Sequence, residues 1–254
     1  MQEQNSEKIN KLIIPLAIII AGVIIAGAIY FSANKSDSPT TGTPINVGNT
    51  DVNQQPPQGD TSSLDQMAAI SAGDHVRGDR NALVKIVEYS DTECPFCEKF
   101  HKTMKQVMDE YGKDGKVAWI YRHAPIDQLH SKARNEAVAF ECANELGGND
   151  KFWAYADRLF AVTPSNNGLD AIELPKIAQY VGLNVDKFNT CLLSGKYDKH
   201  IQDDLDNAIA TAIGGRLGTP WSIVVAKNGK KFHLNGNQPY ASVKQIIDIA
   251  RQEN

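Results

Sequence analysis

Two cysteines separated by two residues are the feature that most constrains the fold of this chain. Cys94 and Cys97 follow residues 83–89 (LVKIVEY), a β-branched run that predicts a buried strand. Apolar residues recur at helical spacing over residues 94–111, so the cysteine pair lies at the start of a helix. Residues 117–121 (VAWIY) predict a second strand. We therefore expect a βαβ unit with a right-handed crossover.

The position of the pair at a helix N-terminus predicts redox chemistry. Unpaired backbone N–H groups and the positive end of the helix dipole favour a thiolate at Cys94, which makes it the candidate nucleophile. Cys97 lies one turn further on and is expected to be more shielded, where it can close the disulfide or resolve a mixed disulfide. Pro95 suits the first turn because it lacks an N–H that would have no partner there.

Two other interpretations of the pair are a zinc site and an inert buried pair. Zinc needs further ligands, and neither Cys142 nor Cys191 belongs to a second C-x-x-C or to a close Cys/His pair. The six histidines show no repeating metal-ligand spacing, and we expect them on the surface or at helix caps. The sequence therefore predicts no metal site.

The N-terminal segment differs in composition from the rest of the chain. Residues 12–31 are apolar and uncharged, and their length matches the span of a bilayer core. Lys8 and Lys11 precede this run, so residues 1–11 are expected in the cytoplasm and the remainder outside it. We interpret residues 12–31 as a transmembrane anchor. A cleaved secretion signal is the alternative, because Ala26 and Ala28 form a small-x-small pattern.

The rest of the chain divides into a linker and one domain. Residues 32–66 are rich in Ser, Thr, Pro, Gly, Asn and Gln and predict a disordered tether. Residues 67–254 are expected to fold, with an almost wholly helical insertion over about 129–215. The formal net charge of −4 and the interleaved acidic and basic residues argue against a nucleic-acid partner.

Several short segments together resemble the DsbA-type thiol oxidoreductases. The resemblance covers about residues 72–252 and implies a thioredoxin-like α/β fold with an inserted helical subdomain and no bound cofactor. The matching segments are Gly78-Asp79, Cys94-Pro95-Phe96-Cys97, Tyr121-Arg122-His123 and Gly218-Thr219-Pro220.

This resemblance also implies roles for individual residues. Thr219-Pro220 is expected to be a cis peptide bond beside the cysteines, forming the active-site surface with Pro95 and Phe96. Glu88 is expected under the active site as a proton relay to the inner cysteine, although a surface-facing strand residue is the alternative.

The remaining cysteines are expected to point into the helical subdomain, because each shares a helix face with apolar residues. The resemblance implies that Cys142 and Cys191 form a structural disulfide, which would require an oxidising compartment. Two buried free thiols are the alternative interpretation.

The direction of electron flow depends on two residues. Phe96 supplies no cationic hydrogen-bond donor where the strongest oxidants of the family carry His, so the Cys94 thiolate is stabilised less and the disulfide is less oxidising. Thr219 precedes the proline, and similar proteins with Thr at this position include isomerases and reductases.

We expect a membrane-anchored, periplasmic or otherwise extracytoplasmic oxidoreductase that forms disulfides in secreted or envelope proteins with free thiols. The resemblance implies reoxidation by a membrane protein of the DsbB or vitamin K epoxide reductase (VKOR) type. The alternatives are a reductase or isomerase with the same site, and a non-catalytic tethered binding module or chaperone.

Overall fold

A five-stranded mixed sheet forms the centre of the fold. The structure is a computed structural model and describes residues 62–253. The strand order is β1-β3-β2-β4-β5. β2 and β3 are parallel, and every other neighbouring pair is antiparallel. The strands are β1 (His75–Arg77), β2 (Val84–Ser90), β3 (Val117–His123), β4 (Trp221–Val225) and β5 (Lys231–Asn235).

The predicted βαβ unit forms the centre of this sheet. β2 leads into helix α1 (Pro95–Val107), which continues through a π-helical turn at Met108–Gly112 before β3 begins. β2 and β3 pair from Val84 opposite Val117 to Ser90 opposite His123. Because parallel strands end at the same edge, the cysteine pair lies beyond the carboxyl ends of both strands.

β1 was not predicted from the sequence. It has only three residues, which is too short for an alternating pattern, and it is held by antiparallel pairing of His75–Arg77 with β3.

The helical insertion follows β3, in agreement with the sequence prediction. Gly148 interrupts its first helix with a φ of 73°, a conformation that glycine adopts without a Cβ clash. Aromatic side chains of this region are buried, including Phe152, Trp153 and Tyr155. The helices are α2 (Ala133–Val162), α3 (Glu173–Tyr180), α4 (Val185–Leu192) and α5 (Asp198–Thr211), and α6 (Tyr240–Gln252) closes the domain after β5.

The predicted linker boundary at residue 66 was wrong. Ser62–Gln66 forms a short 3-10 helix, and Leu64 is only 1% exposed within the core. The Ser63 hydroxyl donates a hydrogen bond to the carbonyl of Thr211, which attaches this turn to α5. The composition averaged over this polar segment concealed its one buried leucine.

The predicted cytoplasmic segment 1–11, the anchor 12–31 and the rest of the linker up to residue 61 lie outside the described residues. Among residues 62–253, none of the helices combines the length and apolar character needed to cross a bilayer.

Candidate active site

The start of α1 positions the two cysteines. Cys94 is the N-cap residue with extended backbone angles, Pro95 is the first helical residue, and the backbone N–H of Cys97 donates to the Cys94 carbonyl at 3.0 Å. The turn therefore brings both side chains to the same end of the helix. Cys94 is 5% exposed and Cys97 is fully buried, so only Cys94 retains access to solvent.

Hydrogen bonds at the helix start stabilise the charged form of Cys94. The pKa of this thiol is lowered to about 6, first by a hydrogen bond from the Cys97 thiol and then by donors from the Thr219 side chain and the backbone of Cys97 and Phe96; burial acts in the opposite direction. As a neutral thiol, Cys94 can instead donate to the Thr219 carbonyl at 3.4 Å. A large share of Cys94 is therefore thiolate at neutral pH.

The environment of Cys97, unlike that of Cys94, disfavours the thiolate. Burial raises the pKa of its thiol well above the ordinary value, and the neighbouring Cys94 and the carboxylate of Glu88 raise it further. The backbone N–H of Asp91 donates to the Cys97 sulfur at 3.4 Å. Because a raised pKa favours the neutral thiol, the two cysteines of one motif differ strongly in acidity.

Glu88 lies in the core rather than on the solvent-facing side of β2. It is fully buried, and one carboxylate oxygen accepts a hydrogen bond from the indole N–H of Trp119 at 2.8 Å. The other oxygen has no hydrogen-bond partner among the described residues. Burial raises the pKa of Glu88 to about 7, so the group can hold or release a proton near neutral pH.

The loop before β4 faces the cysteines. Tyr89 pairs with Trp221 across β2 and β4, so this register brings the preceding Thr219-Pro220 segment to the end of β2 that leads to Cys94. The Thr219-Pro220 peptide bond is cis. Phe96 is 55% exposed while Thr219 is nearly buried, so an aromatic surface projects beside a recessed threonine.

Asp91 is a site residue that was not predicted from the sequence. Its carboxylate accepts hydrogen bonds from the backbone N–H groups of Glu93 and Ile126 and lies 2.9 Å from Nδ1 of His130. Asp91 therefore fixes the turn that leads from β2 to Cys94. An aspartate directly after a strand and before a helix is a turn-forming signal that could have identified it.

A second feature absent from the sequence predictions is a pair of buried carboxyl groups, Glu93 and Glu136. Glu93 precedes Cys94, and Glu136 lies in the first turn of α2. Burial and a hydrogen bond with Glu93 together raise the pKa of Glu136 to about 9, so Glu136 carries the proton shared with Glu93 at neutral pH. The backbone N–H of Gly168 donates to Glu93 at 3.2 Å. The pair joins the cysteine turn to the helical insertion, and no local spacing links residues so far apart in sequence.

Cys142 and Cys191 are joined by a disulfide within the insertion. The bond connects α2 to α4, with a Cα–Cα distance of 5.8 Å, and both residues are buried. Cys94 and Cys97 are free thiols in the same structure.

The expectation that the histidines lie on the surface or at helix caps was wrong for four of them. Each of the four is buried and lies next to a carboxylate, which compensates for the removal of the ring from water. These residues are His75, His101, His123 and His130.

A βαβ unit with a C-x-x-C at its helix start and a cis-proline loop facing it is the arrangement expected of the thioredoxin-fold thiol oxidoreductases. A family model described as "Thioredoxin" matches residues 71–249. The chain therefore belongs to the thioredoxin family.

Within that family, it is of the DsbA type. It is 27% identical to DsbA2 of Pseudomonas aeruginosa, with a TM-score of 0.60 over 73% of this chain and 98% of that one. BdbD of Bacillus subtilis is 21% identical, with a TM-score of 0.59 over 70% of this chain and 92% of that chain, and supports the fold. Wolbachia pipientis alpha-DsbA1 supports it likewise, at 22% identity and a TM-score of 0.62 over 75% of this chain and 96% of that chain. This places the protein among the thiol:disulfide oxidoreductases.

Similar curated sequences carry the name of an ion transporter. The chain is 32% identical over 160 residues to the Na(+)/H(+) antiporter NhaA 3 of Salinispora tropica, covering 63% of this chain and 22% of the antiporter. It is 31% identical over 164 residues to NhaA 1 of Salinispora arenicola, covering 65% of this chain and 23% of the antiporter. The chain thus spans under a quarter of the length of these relatives. The transport activity in their names is a property of those longer proteins.

Proposed function

We propose that the protein catalyses disulfide formation in secreted or envelope proteins through the Cys94–Cys97 pair. The observation that carries the proposal is the contrast between the two sulfurs. The pKa of Cys94 is lowered to about 6, whereas burial raises that of Cys97 well above its ordinary value. A stabilised thiolate at the accessible sulfur makes Cys94 both the site of attack and a good leaving group.

The reaction begins with the Cys94–Cys97 disulfide. A substrate thiolate attacks Sγ of Cys94, a substrate–Cys94 bond forms, and the bond to Cys97 breaks with its electron pair on the Cys97 sulfur. A second substrate thiolate then attacks the substrate sulfur and displaces Cys94 as a thiolate. The substrate loses two electrons and two protons in total, and the enzyme retains the electrons as a dithiol.

Glu88 is proposed as the proton relay for Cys97. The Cys97 sulfur leaves as a thiolate in a fully buried position, where it needs a proton. A carboxyl group with a pKa near 7 can supply that proton and recover it when the disulfide is restored. The electrostatic effect of Glu88 on the pKa of Cys97 supports their proximity.

Pro95, Phe96, Thr219 and the cis Pro220 are proposed as the surface that binds the substrate chain. The exposed ring of Phe96 offers an apolar contact, and Thr219 lies against Cys94. The exchange reaction requires no bound cofactor, because the electrons move between sulfur atoms.

The proposed location is extracytoplasmic, with residues 12–31 retained as the membrane anchor. The Cys142–Cys191 disulfide supports an oxidising compartment. An anchored enzyme would meet a membrane partner of the DsbB or VKOR type for reoxidation. Membrane fractionation of the full chain, compared with a chain lacking residues 1–31, tests the anchor; recovery of the full chain in the soluble fraction with a shortened N-terminus would contradict it.

A reductase or isomerase with the same site is the second candidate function. Phe96 brings no cationic donor to Cys94, which makes the disulfide less oxidising than one with a histidine at this position. Thr219 supports the same alternative through the sequence resemblance.

The equilibrium reduction potential of the Cys94–Cys97 pair in the full chain decides between the two. Titration against glutathione, with the Cys142–Cys191 pair followed separately, is expected to give about −120 to −200 mV for a disulfide donor. A value near about −270 mV, like that of thioredoxin, would favour the reductase.

Trapping of mixed disulfides tests the proposed roles of the cysteines. Cys97→Ala removes the resolving thiol, so we expect the mixed disulfide that forms when the Cys94 thiolate attacks a substrate disulfide to persist. Cys94→Ser is the matched control and should trap none. Equal trapping by the two variants would overturn the assignment of Cys94 as the nucleophile.

A further inference from the structure

Three histidines surround one buried carboxylate in the structure. The Nε2 atoms of His75, His123 and His200 lie 2.7, 2.8 and 3.5 Å from the same oxygen, Oε1 of Glu141. They come from β1, the end of β3 and α5, and Glu141 comes from α2. We call these four residues the His–Glu cluster. It contains neither of the active-site cysteines.

The His–Glu cluster is closed on one side and open on the other. His75, His123 and Glu141 are each at most 4% exposed, whereas the side chain of His200 is 44% exposed. One ligand atom from each of His75, Glu141 and His200 lies within 4.8 Å of the other two. A small ion can therefore enter beside His200 and reach inner ligands that are shielded from water.

Neighbouring side chains hold the buried rings in place. The ring of His75 stacks on Phe152 at a centroid distance of 3.7 Å. The backbone N–H of His123 donates to Asp204 at 3.0 Å, and Asp204 lies one helical turn beyond His200 on α5. Ligands fixed by such surrounding contacts need little rearrangement to bind a metal.

We propose that His75, Glu141 and His200 bind a divalent first-row transition-metal ion of the zinc type. The ion would bond to Nε2 of both histidines and to the Glu141 carboxylate. His123 would act as a positioning residue by donating its Nε2–H to the same carboxylate. Two imidazoles and one carboxylate suit zinc, whereas calcium and magnesium prefer sites built from oxygen.

Binding replaces protons rather than electrons. A neutral His75 or His200 binds the ion through the Nε2 lone pair with its proton on Nδ1, whereas a doubly protonated ring releases one proton to solvent. The bound ion would connect β1 of the sheet to α2 and α5 of the insertion. Because an ion that binds only the folded state raises its stability, the site would strengthen the attachment of the insertion.

Isothermal titration calorimetry with Zn²⁺ tests this proposal on the full chain with Cys94 and Cys97 oxidised, so that no thiol is available as a ligand. We expect saturable binding of one ion per chain and a higher thermal unfolding midpoint. Ca²⁺ added at the same concentrations is expected to give neither effect.

Two histidine variants distinguish the proposed ligands from general histidine binding. His200→Ala removes the most exposed ligand and should weaken zinc binding by at least about 100-fold. His233→Ala, on β5 outside the cluster, is the matched control and should bind zinc as the unmodified chain does. If His200→Ala fails to fold, His200→Gln keeps more of the side chain while removing the imidazole ligand.

Three outcomes would overturn the proposal. The first is no saturable zinc binding by the oxidised protein, which would leave the cluster as an ion-pair network around Glu141. The second is equal binding by the unmodified chain and by the folded His200 variant. The third is zinc binding that occurs only after reduction, because the cysteines would then be the ligands.

Discussion

The two cysteine pairs lie in two regions that differ in how the backbone holds the sulfurs. At the tip of the βαβ unit, Cys94 and Cys97 are one helical turn apart and have opposite pKa shifts. In the insertion, Cys142 and Cys191 come from different helices and form a disulfide. Both pairs are buried, so burial alone does not decide their chemistry. Proximity to a helix start, to Glu88 and to the cis-proline loop makes the first pair suitable for exchange.

Cys94→Ser should have the largest effect, and that effect should be on the activity of the Cys94–Cys97 pair. We expect loss of thiol–disulfide exchange, because a serine hydroxyl cannot form the mixed disulfide, and little change in unfolding midpoint. Oxidation of a two-thiol model peptide measures the activity. Retained activity would instead favour the non-catalytic binding module or chaperone.

The double variant Cys142→Ser/Cys191→Ser should lower the stability of the domain and leave its activity unchanged. Loss of a crosslink between cysteines 49 positions apart is expected to lower the free energy of unfolding. The chain-entropy relation gives about 4 kcal/mol for a loop of this size. Urea unfolding measures this loss, and peptide oxidation in the absence of urea should be unchanged. A large loss of activity in a folded double variant would show that the two regions are coupled.

Glu136→Gln tests the contact between the two regions. Because the folded-state pKa of Glu136 is raised from 4.5 to about 9, this group's contribution to stability is full below about pH 4.5 and declines as the pH rises toward 9. Glutamine mimics the protonated acid without titrating.

We therefore expect Glu136→Gln to gain stability relative to the unmodified chain by about 1.4 kcal/mol for each pH unit between pH 5 and pH 9. Urea unfolding from pH 5 to pH 9 measures the difference. Glu173→Gln, at a partly exposed acid on α3 that pairs with Lys176, is the control and should follow the unmodified chain. A difference for Glu136→Gln that does not vary with pH would contradict the shared-proton interpretation.

Glu88→Gln should affect only thiol–disulfide exchange at the Cys94–Cys97 pair. Glutamine keeps an acceptor for the Trp119 indole but cannot supply a proton to the departing Cys97 sulfur, so formation of the mixed disulfide should slow by about 100-fold. Stopped-flow kinetics should also lose a pH dependence centred near the Glu88 pKa of about 7. An unchanged pH profile would exclude Glu88 as the relay even if the rate fell.

Phe96→His should have the smallest effect, and it tests how residue 96 sets the direction of electron flow between enzyme and substrate. An imidazolium beside Cys94 should lower the pKa of that thiol by about one unit, which is about 1.4 kcal/mol in favour of the reduced form. The reduction potential of the pair should then rise by about 30 mV. Phe96→Leu, which adds no hydrogen-bond donor, is the control. An equal change in both variants would assign the effect to packing.

Local patterns in the sequence predicted the parts of the fold that repeat over short distances. The strand at residues 84–90, the helix that begins at Pro95 and the strand at residues 117–123 each carry a hydrophobic period that needs no tertiary information. The C-x-x-C between strand and helix identified the candidate active site in the same way. β1 and the turn at Ser62–Gln66 could not be predicted by these patterns, because segments of three and five residues are too short for a period to repeat.

The sequence by itself determined the βαβ unit, the helical insertion and the position of the cysteine pair, since each follows from residues close together in the chain. Only the tertiary structure decided which distant groups meet. Glu136 reaches Glu93, and three histidines surround Glu141, through packing of the insertion on the sheet. The pKa values of such groups depend on burial and on neighbours far away in sequence, because desolvation and charge act through space rather than along the chain.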